Sequence, residues 1–275
     1  MRTFIINSIQ RIWIYVFTFH QFERINNRIL SLALHVRGFQ NSGSPEMSGE
    51  KHLLRSLSKF DIQICLDIGA NVGSYSKMMM DVLGAKVIAF EPLEQACKKL
   101  EEIEISDPNN FKFHQLAISD KNAIRRLSFG DPTSEIATLQ SSNAELDFVQ
   151  RNNIYTTLIK SVKLDSLFDD RVIEIQRIDY IKIDVEGHEY QVLLGAQETI
   201  KKYKPRFIQI EYNIYNISSG INMYEISKLL SGYSIFQILP GKGGIRRRDP
   251  RDPITNLCEY SNYLFVLNEI SLGTV

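Results

Sequence analysis

With 275 residues the chain has room for one large domain, or one domain with an extension. A hydrophobic share of 44% and a charged share of 23% exclude a disordered or fibrous protein and leave an ordinary globular one with a sizeable core. Thirty-two basic residues balance 32 acidic ones, so no global field points to a nucleic-acid partner, although Arg246-Arg247-Arg248 forms a local basic cluster.

In chain order, residues 1 to about 38 read as one or two helices with polar interruptions. Within them, residues 4–19 are strongly apolar, but Asn7, Gln10 and Arg11 break the run, and a membrane span needs about 20 predominantly apolar residues. No small-x-small cleavage site follows, which argues against a signal peptide. The expectation is an amphipathic helix packed on the protein or on a partner subunit, with an interfacial membrane helix as the alternative. Residues 40–45 are a turn-forming cluster, so the chain divides into a helical extension and linker over 1–45 and a single domain over 46–275.

From about Ser48 helices and strands alternate. A helix over 48–59 presents Leu53, Leu54 and Leu57; a strand follows at 62–68, a helix at 74–83 with Tyr75, Met78, Met79 and Val82 on one face, and a strand at 86–90. Pro92 starts a helix with the stripe Leu93, Ala96, Cys97, Leu100 and Ile103. A third strand is expected over 111–117 and a short one beginning at Leu127; residues 130–153 read as a loop-rich insertion, and 162–167 as a strand leading into a turn. A core strand at 179–184 leads to a helix with Tyr190, Leu193, Leu194, Gln197 and Ile200 on one side. The remainder is a strand at 206–211, a helix near 222–231, a strand near 233–239, a basic glycine loop at 240–248 and a last strand at 263–267. This alternation predicts an α/β fold with an open, doubly wound, mostly parallel sheet whose ligands gather beyond the carboxyl ends of the strands. Cys65, Cys97 and Cys258 lack metal-ligand spacing and fit a reducing cytoplasm.

The residues with chemistry fall at those strand ends. Asp67 closes the first strand and is followed by a glycine turn with Gly69, Asn71 and Gly73; Glu91, before Pro92, closes the second. The interval between turn and second acid is about the 20 residues of a nucleotide-binding βαβ unit, in which bare backbone approaches the cofactor and the acid takes two ribose hydroxyls. A third fingerprint glycine is missing and Asp67 sits on the strand before the turn, which favours a mononucleoside cofactor such as S-adenosylmethionine over NAD. Ser119 and Asp120 are placed to meet a purine amine. Asp184, Glu186, His188 and Glu189 crowd the end of the fourth core strand, a costly place for charge unless it is used or paired. His188 is a candidate general base toward an acceptor hydroxyl, with Asp184 and Glu186 orienting acceptor or cofactor; a divalent metal on Asp184 with Glu186 or Glu189 is the alternative. Glu211 lies on the same rim, and Arg246 in its basic loop could meet an anionic acceptor.

The run 66–73, then Phe90-Glu91-Pro92, then Ile183-Asp184-Val185-Glu186-Gly187-His188-Glu189 with Leu193-Leu194-Gly195-Ala196 and the closing 205–211, resembles the FkbM family of S-adenosylmethionine-dependent methyltransferases. The resemblance covers about residues 60–215. It implies a Rossmann-like sheet of the class I methyltransferase type with a reversed last strand, and O-methylation of a saccharide or glycosylated metabolite. It also implies a cofactor site at Asp67, Gly69, Asn71, Gly73, Glu91 and Pro92, with Ser119 and Asp120 near the adenine and a catalytic edge from Asp184 to His188.

Overall fold

The computed structural model describes residues 2–130, 137–139 and 155–273. Its centre is an eight-stranded sheet. Six strands run in one direction: β3 (Phe111–His114), β2 (Lys86–Phe90), β1 (Ile64–Ile68), β8 (Tyr180–Ile183), β9 (Phe207–Tyr212) and β10 (Tyr233–Ile238). β12 (Ser261–Leu267) inserts antiparallel between β9 and β10, and β11 (Ile245–Arg247) adds an antiparallel edge, giving the order β11-β10-β12-β9-β8-β1-β2-β3. This is the expected doubly wound α/β fold with a reversed last strand. The order turns back at β1, where β2 lies on one side and β8 on the other, so a crevice opens at their carboxyl ends.

Both faces of the sheet are covered, which is why its central strands read as almost unbroken apolar runs. On one face α4 (Glu50–Leu57), α5 (Ser74–Leu83) and α6 (Glu94–Ser106) bury Leu54, Met79 and Leu100 against Cys65, Val87 and Phe207. On the other, α8 (Glu189–Leu194), α9 (Gln197–Tyr203) and α11 (Met223–Leu229) bury Leu193, Ile200 and Ile226 against Ile181, Ile183 and Ile208.

Four local expectations are corrected. Residues 111–117 are not one strand: a turn at His114–Leu116 ends β3, and β4 (Ala117–Ile118) leaves for a second sheet with β7 (Tyr155–Val162), β5 (Ala123–Phe129) and β6 (Ala137–Thr138). Residues 164–169 form a helix, α7, because Leu164 and Leu167 are three apart and both buried. The helix expected after β8 is two, separated at Gly195, where a Cβ would lie 1.9 Å from the Ser119 carbonyl oxygen; Val192 and Leu193 face inward and Leu194 faces solvent. The loop at 240–248 contains β11, in register with β10 through Ile238↔Ile245 and Phe236↔Arg247. Apart from 130 and 137–139, the insertion expected at 130–153 lies outside the described residues.

Before the domain, α1 (Arg2–Phe17) and α2 (Glu23–Val36) meet through the Phe17–Phe22 ring contact and an Asn26 Nδ2 hydrogen bond to the Phe17 carbonyl. Neither packs its apolar face on the domain: Ile12, Tyr15, Leu32 and Val36 are all exposed. The chain joins the domain at Gly38–Asn41. There the Gly38 carbonyl accepts from Gln237 and Ser261, Phe39 is fully buried beneath the Arg248 guanidinium, and the Asn41 amide donates to the Tyr260 carbonyl. No helix among the described residues is long and apolar enough to cross a membrane.

At the opposite end of the sheet from the crevice, Asp179 joins four groups. Its Oδ2 accepts from the amides of Gln63 and Ile64, and its Oδ1 from Arg177 and Arg206. Burial alone would raise its pKa, but those partners together hold it below the ordinary carboxylate value. The stabilisation is therefore complete above a pH of about 4 and is lost as pH falls through the lowered value. Asp179→Ala is expected to cost about 3 kcal/mol at neutral pH, with a shallower loss of stability in acid. Urea melts of both proteins at neutral and acidic pH check this, and equal midpoints at neutral pH would remove the hub.

Candidate active site

The turn after β1 is tied to the end of β2. The amides of Gly69 and Ala70 both donate to the Phe90 carbonyl, at 3.0 and 3.1 Å. Gly69 has φ +84°, and a Cβ there would lie 1.9 Å from the Asp184 carbonyl oxygen, so only glycine lets the segment after β8 close against this turn. Asn71, also left-handed at φ +48°, points its amide at Glu91 Oε2 at 2.9 Å, while the Leu93 amide donates to Oε1 at 2.8 Å. Each carboxylate oxygen of Glu91 keeps a further lone-pair direction. Gly73 serves a different purpose, since the space of its missing Cβ is taken by Leu100 and Ile103 of α6. Asp67 is fully buried under the turn, where Oδ2 accepts from Ser76 Oγ at 2.5 Å and Oδ1 has no hydrogen-bond partner among the described residues.

Two depressions meet over this turn. A narrow pocket is lined by Gly69, Asn71, Glu91, Pro92, Ile118 and His188. Beside it opens a cleft of about 500 Å³ between residues 41–45, Tyr75, Lys182, Glu211, Tyr260 and Asn262. Gly69, Asn71, Asp184 and Glu186 belong to both, so the Asp184–Glu186 backbone is the partition between them. The partition is unusual backbone: Glu186 has φ +50° and Gly187 φ +89°. Glu189 holds it, with Oε1 accepting from the Val185 and Gly187 amides and Oε2 from Asn216. Glu189 thus binds the loop's own backbone.

The acids converge. Ligand oxygens of Asp184, Glu186 and Glu211 all lie within 4.8 Å of one another. Asn213 Nδ2 donates to both Glu186 and Glu211 at 2.9 Å. Burial, then the neighbouring carboxylates, pushes both glutamates well above the usual carboxylate range. Lys182 is the countercharge, with Nζ 2.5 Å from Asp184 Oδ2 and 4.6 Å from the Tyr75 ring centre. Burial works against its charge, but Asp184, Glu50 and Asp67 outweigh it and raise its pKa. Sequence reasoning assigns no site role to Lys182, Asn213 or Tyr260, and places Tyr75 only on a helix face. The available signal was a lysine in the middle of the apolar strand Tyr180-Ile181-Lys182-Ile183.

His188 occupies the pocket side. It is 2% exposed, its Nε2 shares a hydrogen bond of 2.8 Å with Ser119 Oγ, and burial followed by the Arg125 charge pulls its pKa down to about 4. The imidazole is neutral at physiological pH and only weakly basic. Ser119 also donates to Asp120 Oδ1, which pairs with Arg125 at 2.6 Å. The serine reaches the pocket through His188, and Asp120 is committed to the arginine. Arg246 lies on the exposed edge strand β11 and lines neither depression.

The methyltransferase FkbM domain model matches residues 67–229, more than half of the chain, including the glycine turn, Glu91, the Asp184–Glu189 segment and Glu211, but not the cleft wall at 41–45, Tyr260 or Asn262. The chain belongs to the FkbM methyltransferase family. A curated relative, the 2-O-methyltransferase NoeI of Sinorhizobium fredii (strain NBRC 101917 / NGR234), is 27% identical over 207 residues, covering 70% of this chain and 81% of that protein. Among solved structures, methyltransferase FkbM from Methylobacillus flagellatus KT is 19% identical with a TM-score of 0.46, covering 74% of this chain and 44% of that one. The chain therefore spans less than half the length of that structure. SMU.1697c from Streptococcus mutans, a putative methyltransferase in complex with SAH, aligns with a TM-score of 0.41 at 10% identity over 80% of this chain and 97% of that one.

Gly69→Ala is expected to destabilise the protein by about 2 kcal/mol or more, through the left-handed backbone and the contact with the Asp184 carbonyl. For a domain of this size the corresponding fall in melting temperature is about 4 °C or more. A thermal melt matching the parent protein would show that the turn and the partition do not touch.

Proposed function

We propose that the protein is an S-adenosylmethionine-dependent O-methyltransferase acting on a hydroxyl of a saccharide or glycosylated metabolite. When bound, that cofactor supplies an electrophilic methyl group on a positively charged sulfur. The observation that carries the reading is Glu91, a buried carboxylate with one backbone donor on each oxygen, one of them from the glycine turn, and room for a ribose hydroxyl on each at the wall of a narrow pocket. Support for a cationic cofactor comes from the acids gathered where the pocket meets the cleft, with Lys182 as their paired cation. The cleft itself presents carboxylates with Asn41, Ser42, Ser44 and Asn262, a lining suited to hydroxyl donors and ill suited to a bare phosphate. Three unpaired cysteines fit a reducing, cytoplasmic setting.

Burial, with Asp67 nearby, lifts Glu91 to about 7 despite its two amide donors. Ribose hydroxyls donating to it favour the ionised form, so S-adenosylmethionine affinity should rise about tenfold between a pH of about 6 and about 8. Glu91→Ala should weaken binding about 100-fold and abolish that pH dependence. Calorimetric titration reads both. Parent affinity retained by the alanine variant would overturn the cofactor assignment.

In-line transfer asks the protein chiefly to align acceptor oxygen, methyl carbon and sulfur. The carbon–oxygen bond forms as the carbon–sulfur bond breaks, leaving a neutral thioether, and the hydroxyl proton must leave. Glu186 is our choice to receive it, because it borders both the pocket and the cleft, and burial beside other carboxylates raises its proton affinity above that of an ordinary carboxylate. The neutral, enclosed His188 positions the cofactor side. A second reading is favoured by the mutual approach of Asp184, Glu186 and Glu211, whose hard oxygens could hold magnesium or calcium. Transfer of a labelled methyl group to a panel of sugars, nucleotide sugars and lipid-linked glycans is the deciding assay. Glu186→Gln should lower kcat about 100-fold or more, whereas His188→Asn should mainly raise the cofactor KM. Activity lost to chelator and restored by magnesium would assign the acids to a metal, and activity indifferent to chelator would assign Glu186 to the proton.

A further inference from the structure

The helix pair ahead of the domain has a face on which none of the described residues packs. In α2, Ile25, Ile29, Leu32 and Val36 follow helical spacing on a single stripe, and each is exposed by 43% or more. No residue of α2 is buried. In α1 the chain's single tryptophan, Trp13, stacks on Phe17 with ring centres 4.1 Å apart and is itself 43% exposed. Charge on this segment is one-sided. Residues 1–38 contain five arginines, at 2, 11, 24, 28 and 37, no lysine, and the single acid Glu23, although the whole chain is neutral.

We propose that α1 and α2 dock the protein on the surface of an anionic lipid bilayer. The stripe of α2 and Trp13 of α1 would enter the headgroup boundary, where tryptophan is favoured, and the arginines would meet lipid phosphates. α1 has 16 residues and neither helix can cross a bilayer, so the pair lies along the surface. The charge pattern selects this occupant over a second copy of the chain, because pairing two copies through the same face would bring arginines against arginines. The consequence for the site follows from chain continuity. α2 ends at Val36, residues 38–41 are fixed to β10 and β12, and residues 41–45 are a wall of the cleft. Docking would hold that wall, and the cleft behind it, next to the bilayer, where a lipid-linked acceptor is presented. That consequence rests on the cleft being the acceptor site, whereas docking itself does not.

Flotation of the full chain with phosphatidylcholine vesicles, with and without phosphatidylglycerol, tests the proposal independently of methyl transfer. The expected result is binding to the anionic vesicles at least ~10-fold stronger than to the neutral ones and weakened by salt. Ile29→Glu with Leu32→Glu should abolish it, while calorimetric affinity for S-adenosylmethionine stays that of the parent. Equal binding to both vesicles, or binding to neither, overturns the proposal. So does a dimer in light scattering that the same pair of substitutions converts to monomer without any change in flotation.

Discussion

One buried ammonium organises the centre of the molecule. Strand register sets Asp67, Lys182 and Gln209 side by side on β1, β8 and β9, each almost without solvent contact, on the face covered by α4 and α5. Three polar residues abreast in a central sheet would be prohibitive unpaired. They persist because the row is paired at nearly every point. Lys182 answers Asp184, while Gln209 accepts from Tyr75 and Tyr180 and donates to Glu50 and Asn262. Without the lysine charge, Asp67, Asp184 and Glu50 would face one another across a low-dielectric interior. The row also fixes position. Tyr75 from α5, Glu50 from α4 and Asn262 from β12 are drawn to one point beneath the cleft, so the helix that follows the glycine turn cannot slide without breaking the network.

What the sequence disclosed and what it hid follow from this. Strand ends were legible because a carboxylate that interrupts an apolar run is rare enough to signal a purpose; Glu91, Asp184 and Glu211 line the crevice, and Asp67 lies buried beneath its glycine turn. Glycine at 69 and 73 was legible as a turn, but their separate duties were not. One yields to the Asp184 carbonyl and the other to side chains of α6, distinctions that depend on partners over 25 residues away. Glu186 and Glu189 look alike in sequence, three residues apart. In space one borders both depressions and the other ties down loop amides, a difference made by the left-handed backbone at 186 and 187. Lys182 was hidden because one polar residue in a strand ordinarily marks a solvent-facing side. Here both sides are covered.

Residues 40–45 illustrate the hardest class. Their composition reads as a linker, and nothing in a local pattern states where a linker is laid down. In the structure this stretch is wall and tether together. Phe39 is sunk beneath Arg248, and Asn41 is held through its backbone by Tyr260 and through its side chain to the Ser48 carbonyl, so the wall of the cleft is tied to the domain where it begins. Arg248 explains part of the basic loop in which Arg246 was expected to meet an anionic acceptor. Its guanidinium is used internally, on Gln237 and the Arg37 carbonyl, leaving only Arg246 and Arg247 on the outer edge.

The electrostatic arrangement then constrains how an acceptor could arrive. The cleft concentrates carboxylates, and the segment that leads into it concentrates arginines, within a chain of zero net charge. A free polyanion would be drawn to the arginines and repelled from the acids, and so would be held outside the cleft. A molecule with an anionic part and a neutral, hydroxyl-rich part separated by some distance satisfies both regions at once: the anion stays with the helices while the hydroxyls reach the carboxylates. On the proposed assignment of the cleft to the acceptor, the same geometry would suit a neutral saccharide on an anionic carrier better than a compact sugar phosphate. Residues 38–45, fixed at both ends, set the distance such a carrier would have to span.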